Sequence, residues 1–259
     1  MVFEQAGQIH ELDPASGKEL RLLKDQNGDG KVDTWRTNDA TGATVKLEED
    51  KDFDGEPDRT FEFAGGQPVR FVDDANRDGK PEARSELGPD GAVLREERDT
   101  NADGKLDLRV EYAGGQKVRE ERDSKNSGRF DVVTVFENGA PVRQEQDTKG
   151  TGKFDSVIEF KGGKEATQQR DSNGDGAIDL WITLDADGKP QREEIDSNND
   201  GKADVVKLYA SGELGREEQD RDANGSFELV VSYVGGKPAH SETDTNGDGK
   251  PDAIIVYDA

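Results

Sequence analysis

Apolar and polar residues alternate in short runs along the chain, as in Leu108, Val110 and Tyr112 or Leu180, Ile182 and Leu184. A period of two puts such residues on one strand face, so these runs predict half-buried β-strands with one apolar face. Most runs end on a bulky residue, namely Phe63, Leu87, Tyr112, Phe136, Phe160, Leu184, Tyr209, Tyr233 or Tyr257, whereas Asn38 takes that place in the first. A Gly-bearing turn follows, such as AGG at 113–115, ENG at 137–139 or DADG at 185–188. Positive φ angles are cheap in these turns, which predicts tight hairpins. The next strand is far more polar, as in KVREERD or PVRQEQD. Arg set against Glu there predicts cross-strand charge ladders.

One acidic motif joins the hairpins, seen as DQNGDGKVD from Asp25, DTNADGKLD from Asp99 and DSNGDGAID from Asp171. Its copies start at Asp25, Asp50, Asp74, Asp99, Asp123, Asp147, Asp171, Asp196, Asp220 and Asp244, always 24 or 25 residues apart. Self-similarity of this kind decides a fold. The expected fold is all-β: tandem 24-residue β-hairpin repeats in an antiparallel meander, with acidic loops along one end and Gly turns along the other. Residues 1–24 read as an N-terminal capping hairpin with Leu20 and Leu22 toward one face, and residues 25–259 as a ten-repeat array. So many strands do not stay flat, so a superhelical, solenoid-like array is expected, with a β-propeller as the alternative. The longer turns after the first, third and seventh loops are what suggest propeller blades.

Composition sharpens the problem. Only 30% of residues are apolar and 36% are charged, too little apolar surface to offset the entropy of ordering the backbone. Something besides a hydrophobic core must stabilise the fold. The net charge of −24 speaks against nucleic acid and anionic membrane surfaces and favours a cation partner. There is no Cys, hence neither a disulfide framework nor a thiolate metal site. No apolar stretch is long enough to insert in a bilayer, and the opening MVFEQAGQIH lacks the basic and apolar regions of a signal peptide. If the protein is exported, its targeting segment was removed ahead of Met1.

The acidic motif has the register of a loop for a hard divalent cation. Oxygen side chains fall at positions 1, 3 and 5, and Gly at position 6 permits a sharp turn. An acid at position 9 closes the set. The ligand sets are Asp25, Asn27, Asp29 and Asp33; Asp50, Asp52, Asp54 and Asp58; Asp74, Asn76, Asp78 and Glu82; and Asp99, Asn101, Asp103 and Asp107. Further along come Asp171, Asn173, Asp175 and Asp179; Asp196, Asn198, Asp200 and Asp204; and Asp244, Asn246, Asp248 and Asp252. Asp220, Asp222, Asn224 and Glu228 form a set expected to bind more weakly.

The pattern DxNxDGxxD entering a strand resembles the calcium loops in β-propeller blades of integrin α-subunits and other FG-GAP proteins, and more distantly those of dockerin and thrombospondin type 3 repeats. The resemblance covers nine residues per unit and implies calcium as the cofactor. An EF-hand closes with Glu at position 12, whereas that position here is a strand residue.

About eight loops are expected to hold Ca2+, which would bring the net charge of −24 to about −8, an ordinary surface value. Loops about 10 Å apart, each carrying about three negative charges, repel by roughly 4 kcal/mol per pair before screening and one to two after it. Calcium cuts that about ninefold, so folding and metal binding should be coupled. Lys125 and Lys149 stand at position 3 of two central loops, which are expected to be metal-free, each ammonium pairing with Asp123 and Asp131 or with Asp147 and Asp155. Position 8 is Val32, Leu106, Phe130, Phe154, Ile178 or Phe227 in many copies and is expected to pack beneath its loop.

No unique acid/base pair stands out among so many repeated carboxylates, so no enzyme activity is expected. His10 and His240 read as solvent-facing strand residues. Trp35 and Trp181 lie opposite the main apolar stripe and read as packing residues, or else as contacts for a surface glycan or protein. The expected function is an exported calcium-binding repeat protein, extracellular, periplasmic or on the cell surface, acting as a calcium-rigidified structural or adhesive component. The alternative is a calcium-dependent carbohydrate- or protein-recognition module.

Overall fold

The computed structural model describes residues 1–258, which are all-β, without a helix. The chain forms two compact units that divide between Phe130 and Asp131. The first unit begins with β1 (Val2–Gln5), β2 (Gln8–Leu12), β3 (Glu19–Lys24), β4 (Thr34–Asn38) and β5 (Thr44–Glu49). It continues with β6 (Arg59–Ala64), β7 (Gln67–Asp73), β8 (Ala83–Leu87), β9 (Val93–Arg98), β10 (Leu108–Ala113) and β11 (Gln116–Arg122). The second unit holds β12 (Val132–Glu137), β13 (Ala140–Gln146), β14 (Ser156–Lys161), β15 (Lys164–Arg170) and β16 (Leu180–Leu184). After these come β17 (Pro190–Ile195), β18 (Val205–Ala210), β19 (Glu213–Gln219), β20 (Leu229–Val234), β21 (Lys237–Thr243) and β22 (Ala253–Val256).

Within the first unit every strand pairs antiparallel with the next, from β1 to β11. The second unit does the same from β12 to β22. Each unit is therefore an open meander of hairpins. Neither ladder breaks after four strands, as propeller blades require, so the propeller alternative is overturned. Residues 1–24 carry three strands, one more than a capping hairpin. Phe3 on β1 stacks on His10 of β2 with ring centroids 4.7 Å apart. His10 is thus not a solvent-facing residue: it is 18% exposed, and its Nδ1 lies 2.7 Å from Glu19 Oε2.

The hairpin geometry follows from its turn. Gly114 and Gly115 have φ of 57° and 75°, the paired left-handed conformation whose twist matches the flanking strands. Next to the turn, a β-bulge falls at the bulky residue that ends the first strand, as at Phe63, Tyr112, Leu184 and Tyr233. Val118, for instance, is left over between Lys117 and Arg119, which face Tyr112 and Glu111. The bulge recurs at Asn38, where the bulky residue is missing, so backbone geometry and not side-chain size fixes its place.

Apolar burial is thin and falls on both faces. Val110, Leu229 and Val231 are buried on the expected stripe, but Val133 and Val206 are buried on the opposite one. The expectation of a single apolar face is corrected accordingly: strands paired on both edges in an open sheet leave each face half-covered, as the intermediate burial along most strands shows. Trp35 in the first unit and Trp181 in the second each lie on their own strand's face opposite the stripe and are half-buried. Their cross-strand neighbours are Leu23 and Glu48, and Gln169 and Glu194. Beneath the loops, Val32, Leu106, Phe130 and Ile178 are half-buried, whereas Phe154 and Phe227 are exposed, contrary to expectation.

Candidate metal centre

Aspartates replace the missing core. Asp33, Asp50, Asp58, Asp107, Asp123, Asp131, Asp147, Asp155, Asp171, Asp179, Asp196, Asp204 and Asp220 are all buried, and all occupy position 1 or 9 of a loop. Burying carboxylates at this density demands donors. The backbone supplies them: in each loop the position-6 Gly N–H donates to the position-1 carboxylate at 2.6–3.2 Å. The position-2 N–H donates to the position-9 carboxylate at 2.6–3.0 Å, for example Gln26 to Asp33 and Thr148 to Asp155. Where position 3 carries an oxygen side chain, the position-5 N–H donates to it, as Asp175 does to Asn173 at 2.9 Å; in the two loops with lysine there it donates to the position-1 carboxylate. Each loop is a chain of nested turns closed on its own acids.

These turns need two left-handed residues. Gly176 at position 6 has a φ of 98°, as the motif implies. Position 4 is also left-handed, including at Phe53 (64°), Arg77 (55°), Ala102 (59°), Asn126 (54°), Asn199 (62°) and Ala223 (60°). Sequence reasoning overlooked position 4. The signal was there, since Gly28, Gly150, Gly174 and Gly247 occupy it elsewhere, alongside two Asn.

Donor geometry sets the carboxylate titration. The N–H groups of Gly30 and Gly28 hold Asp25 below the usual carboxylate range. Burial pushes Asp179 up, but donors from Ser172 and Asn173 outweigh it and leave it low. Burial likewise pushes Asp155 up, but donors from Thr148 and the Lys149 N–H outweigh it and leave it low. These acids are charged at neutral pH, as cation ligands must be.

The ligand sets are not equally assembled. Carboxylate oxygens of Asp25, Asp29 and Asp33 lie within 4.8 Å of one another, as do those of Asp50, Asp52 and Asp58, and of Asp220, Asp222 and Glu228. Each of these three groups can hold a metal ion. The Asp220 loop, expected to be the weaker one, is among them. Asp54 is turned to Arg77. In the loops starting at Asp74, Asp99, Asp171, Asp196 and Asp244 the acids are framed by the same backbone bonds, with positions 3 and 5 facing solvent. In the first loop Asp33 is 1% exposed, and its Oδ1 is buried without a hydrogen-bond donor.

Lys149 departs from its expected pairing. Its Nζ donates to the Asp171 carbonyl at 2.6 Å and lies 3.6 Å from Asp171 Oδ1, in the following loop. The side chain is long enough to leave its own loop for the next. Its backbone N–H, not its ammonium, bonds Asp155 at 2.8 Å. At Lys125 the backbone N–H is likewise among the donors that, against burial, hold Asp123 low.

The chain matches no known protein family and no curated protein. Among solved structures it is similar to part of accessory secretory protein 1, 2 and 3 of Streptococcus pneumoniae, at 20% identity over 36% of this chain and 18% of that one, with a TM-score of 0.29. It is also similar to part of a TcdB2–TccC3–Cdc42 complex, at 12% identity over 91% of this chain and 13% of that one, with a TM-score of 0.24. A Photorhabdus luminescens Tc holotoxin pore gives 14% identity over 92% and 18%, with a TM-score of 0.17. The chain spans less than a fifth of each of these proteins.

Proposed function

We propose that this is an exported calcium-binding repeat protein, a structural or adhesive component of the cell surface, periplasm or extracellular space whose hairpins are stiffened by calcium. One observation carries the reading: Asp33 Oδ1 is buried without a donor, in a loop where carboxylate oxygens of Asp25, Asp29 and Asp33 lie within 4.8 Å of one another. A buried carboxylate with an unpartnered oxygen, grouped with two other anions, is strongly unfavourable unless a cation sits among them. An all-oxygen donor set on a partly open loop suits calcium, which takes six to eight oxygens in variable geometry, better than magnesium, which demands a rigid octahedron. Loops with affinities of about 10⁻⁴ to 10⁻³ M fill outside the cell and stay empty in a resting cytosol.

The rival reading is a calcium-dependent recognition module that binds a glycan or protein through its loop edge or through the face bearing Trp35 and Trp181. Both are half-buried in their sheet, so no observation favours it. A calcium titration read by circular dichroism, with bound ions counted by equilibrium dialysis, tests the proposal. Several ions per chain and a gain of ordered β-structure are expected. A protein that is equally folded in chelator and binds no calcium would sink it.

A further inference from the structure

We propose that the Asp50 loop is filled by a cation of the protein's own, the Arg77 guanidinium, and that a divalent ion enters this loop only by displacing it. The inference rests on the reading of the neighbouring loops as calcium sites.

Arg77 occupies position 4 of the Asp74 loop, yet its side-chain partners all belong to the Asp50 loop. Its Nη2 lies 3.2 Å from Asp52 Oδ2, its Nη1 bonds Asp54 Oδ1 and lies 3.9 Å from Glu56 Oε2, and its Nε lies 3.8 Å from Asp58 Oδ1. Positions 3, 5 and 9, three of the four ligand positions, thus each face a different nitrogen of one planar fork. A guanidinium is suited to this because its charge is permanent and its donors are fixed in a plane.

A second observation marks the cup as a cation position. Asp58 is 5% exposed, and its Oδ1 is buried with no hydrogen-bond donor. At 3.8 Å the Arg77 Nε balances that charge without bonding the oxygen.

The sequence explains why this loop, and not another, is filled in this way. It carries Asp50, Asp52, Asp54, Glu56 and Asp58, and the residue at position 4 is charged only at Arg77, being Gly, Phe, Ala or Asn in the other loops. The left-handed backbone at Arg77 (φ 55°) is the turn every loop makes at that point, so the arginine is presented by a shared backbone feature. Lys31 reaches the same loop from the other side, its Nζ donating to the Asp54 carbonyl at 2.9 Å. Three consecutive loops are therefore tied together by side chains while Arg77 fills the Asp50 loop.

The test counts calcium ions on the intact chain by equilibrium dialysis at fixed free calcium, in wild type, Arg77→Gln, Arg77→Lys and Asp54→Asn. Arg77→Gln should bind one more ion than wild type, and Asp54→Asn should weaken that extra site in the Arg77→Gln background while leaving the wild-type number unchanged. Arg77→Lys keeps the charge but loses the fork, and should show the extra site at reduced affinity; it serves if the glutamine variant does not fold. Equal numbers and affinities in wild type and Arg77→Gln, or loss of an ion from wild type on Asp54→Asn, would overturn the inference and leave the calcium reading standing. If wild type binds no calcium and Arg77→Gln binds one, the calcium reading of the other loops falls and this inference stands. If neither binds, the calcium reading falls, and melting in chelator decides: Arg77→Gln must melt several degrees below wild type, and equal midpoints overturn the resident cation.

Discussion

The backbone N–H of Asp196 donates to the carbonyl of Asp179 at 2.9 Å, so the first acid of one loop hangs on the last acid of the loop before it. The same bond joins Asp50 to Asp33, Asp74 to Asp58 and Asp244 to Glu228, at 2.8–2.9 Å. Ordering the end of one loop therefore orders the start of the next. Calcium binding within a unit should be cooperative, and Asp179→Asn should weaken the Asp196 loop as well as its own. Amide signals of Gly176 and Gly201 report the two loops separately in a calcium titration by NMR. About a fivefold loss at Gly201 is expected, the lower end of ordinary coupling between sites. An unchanged Gly201 midpoint would show the loops to be independent.

The left-handed residue at position 4 gives a prediction of the opposite sign from ordinary helix or strand experience. Ala102 (φ 59°) and Ala223 (φ 60°) hold a conformation that costs a side chain about 1–2 kcal/mol, against about 0.5–1 for the extra freedom Gly has when unfolded. Ala102→Gly and Ala223→Gly should each stabilise by about 0.5–1 kcal/mol. Gly104→Ala should do the reverse, because at φ 81° an added Cβ strains the backbone, while the nearby end of the Lys80 side chain can move aside. Urea midpoints in saturating calcium measure all three. A destabilised Ala102→Gly would contradict the nested-turn description of the loops.

Titration supplies a third expectation. Asp25, Asp155, Asp179, Asp204 and Asp252 are all held below the usual carboxylate range: hydrogen-bond donors lead at Asp25, Asp204 and Asp252, and outweigh burial at Asp155 and Asp179. A depressed folded value means the unfolded chain takes up protons first as pH falls. The stability these groups contribute is thus present above the unfolded range, near pH 4, and is lost as pH drops through their folded values. Urea midpoints of the chelated protein should fall steadily between about pH 4.5 and pH 3. A flat or rising midpoint would mean that relief of carboxylate repulsion outweighs the lost hydrogen bonds.

Much of this was legible in the chain, and the parts that were not share a cause. The repeat length, strand positions, Gly turns and the acids at positions 1 and 9 are local patterns, and the meander realises them where they were expected. The bulge at Tyr112, the burial of Val133 and Val206 on the second face and the third strand within residues 1–24 depend on how neighbouring strands pair, which no single repeat encodes. Arg77 and Lys149 act on neighbouring loops, so reading each loop by itself assigned Lys149 the wrong partner and left Arg77 without a role. Trp181, read from the sequence as a packing residue or else a contact, is half-buried between Gln169 and Glu194, neighbours that a single repeat does not reveal.

The polar strands of the hairpins predict one further measurable contribution. Arg109 on β10 faces Glu97 on β9 and Glu121 on β11, bonding the first through Nε at 2.9 Å and the second through Nη1 at 2.8 Å. Its guanidinium carbon also lies 4.7 Å from the Phe130 ring centroid. Burial alone would raise Glu97 and Glu121, but the arginines beside them hold both below the usual range. Removing Arg109 leaves two part-buried carboxylates short of a partner, which is worth more than an exposed ion pair. Arg109→Met, which keeps the apolar stem, should destabilise by about 1–3 kcal/mol at neutral pH in saturating calcium. Adding Glu121→Gln should recover part of that loss, because the unpaired charge disappears with it. A cost below about 0.5 kcal/mol, with no recovery, would place this ladder with the surface ion pairs that contribute nothing measurable.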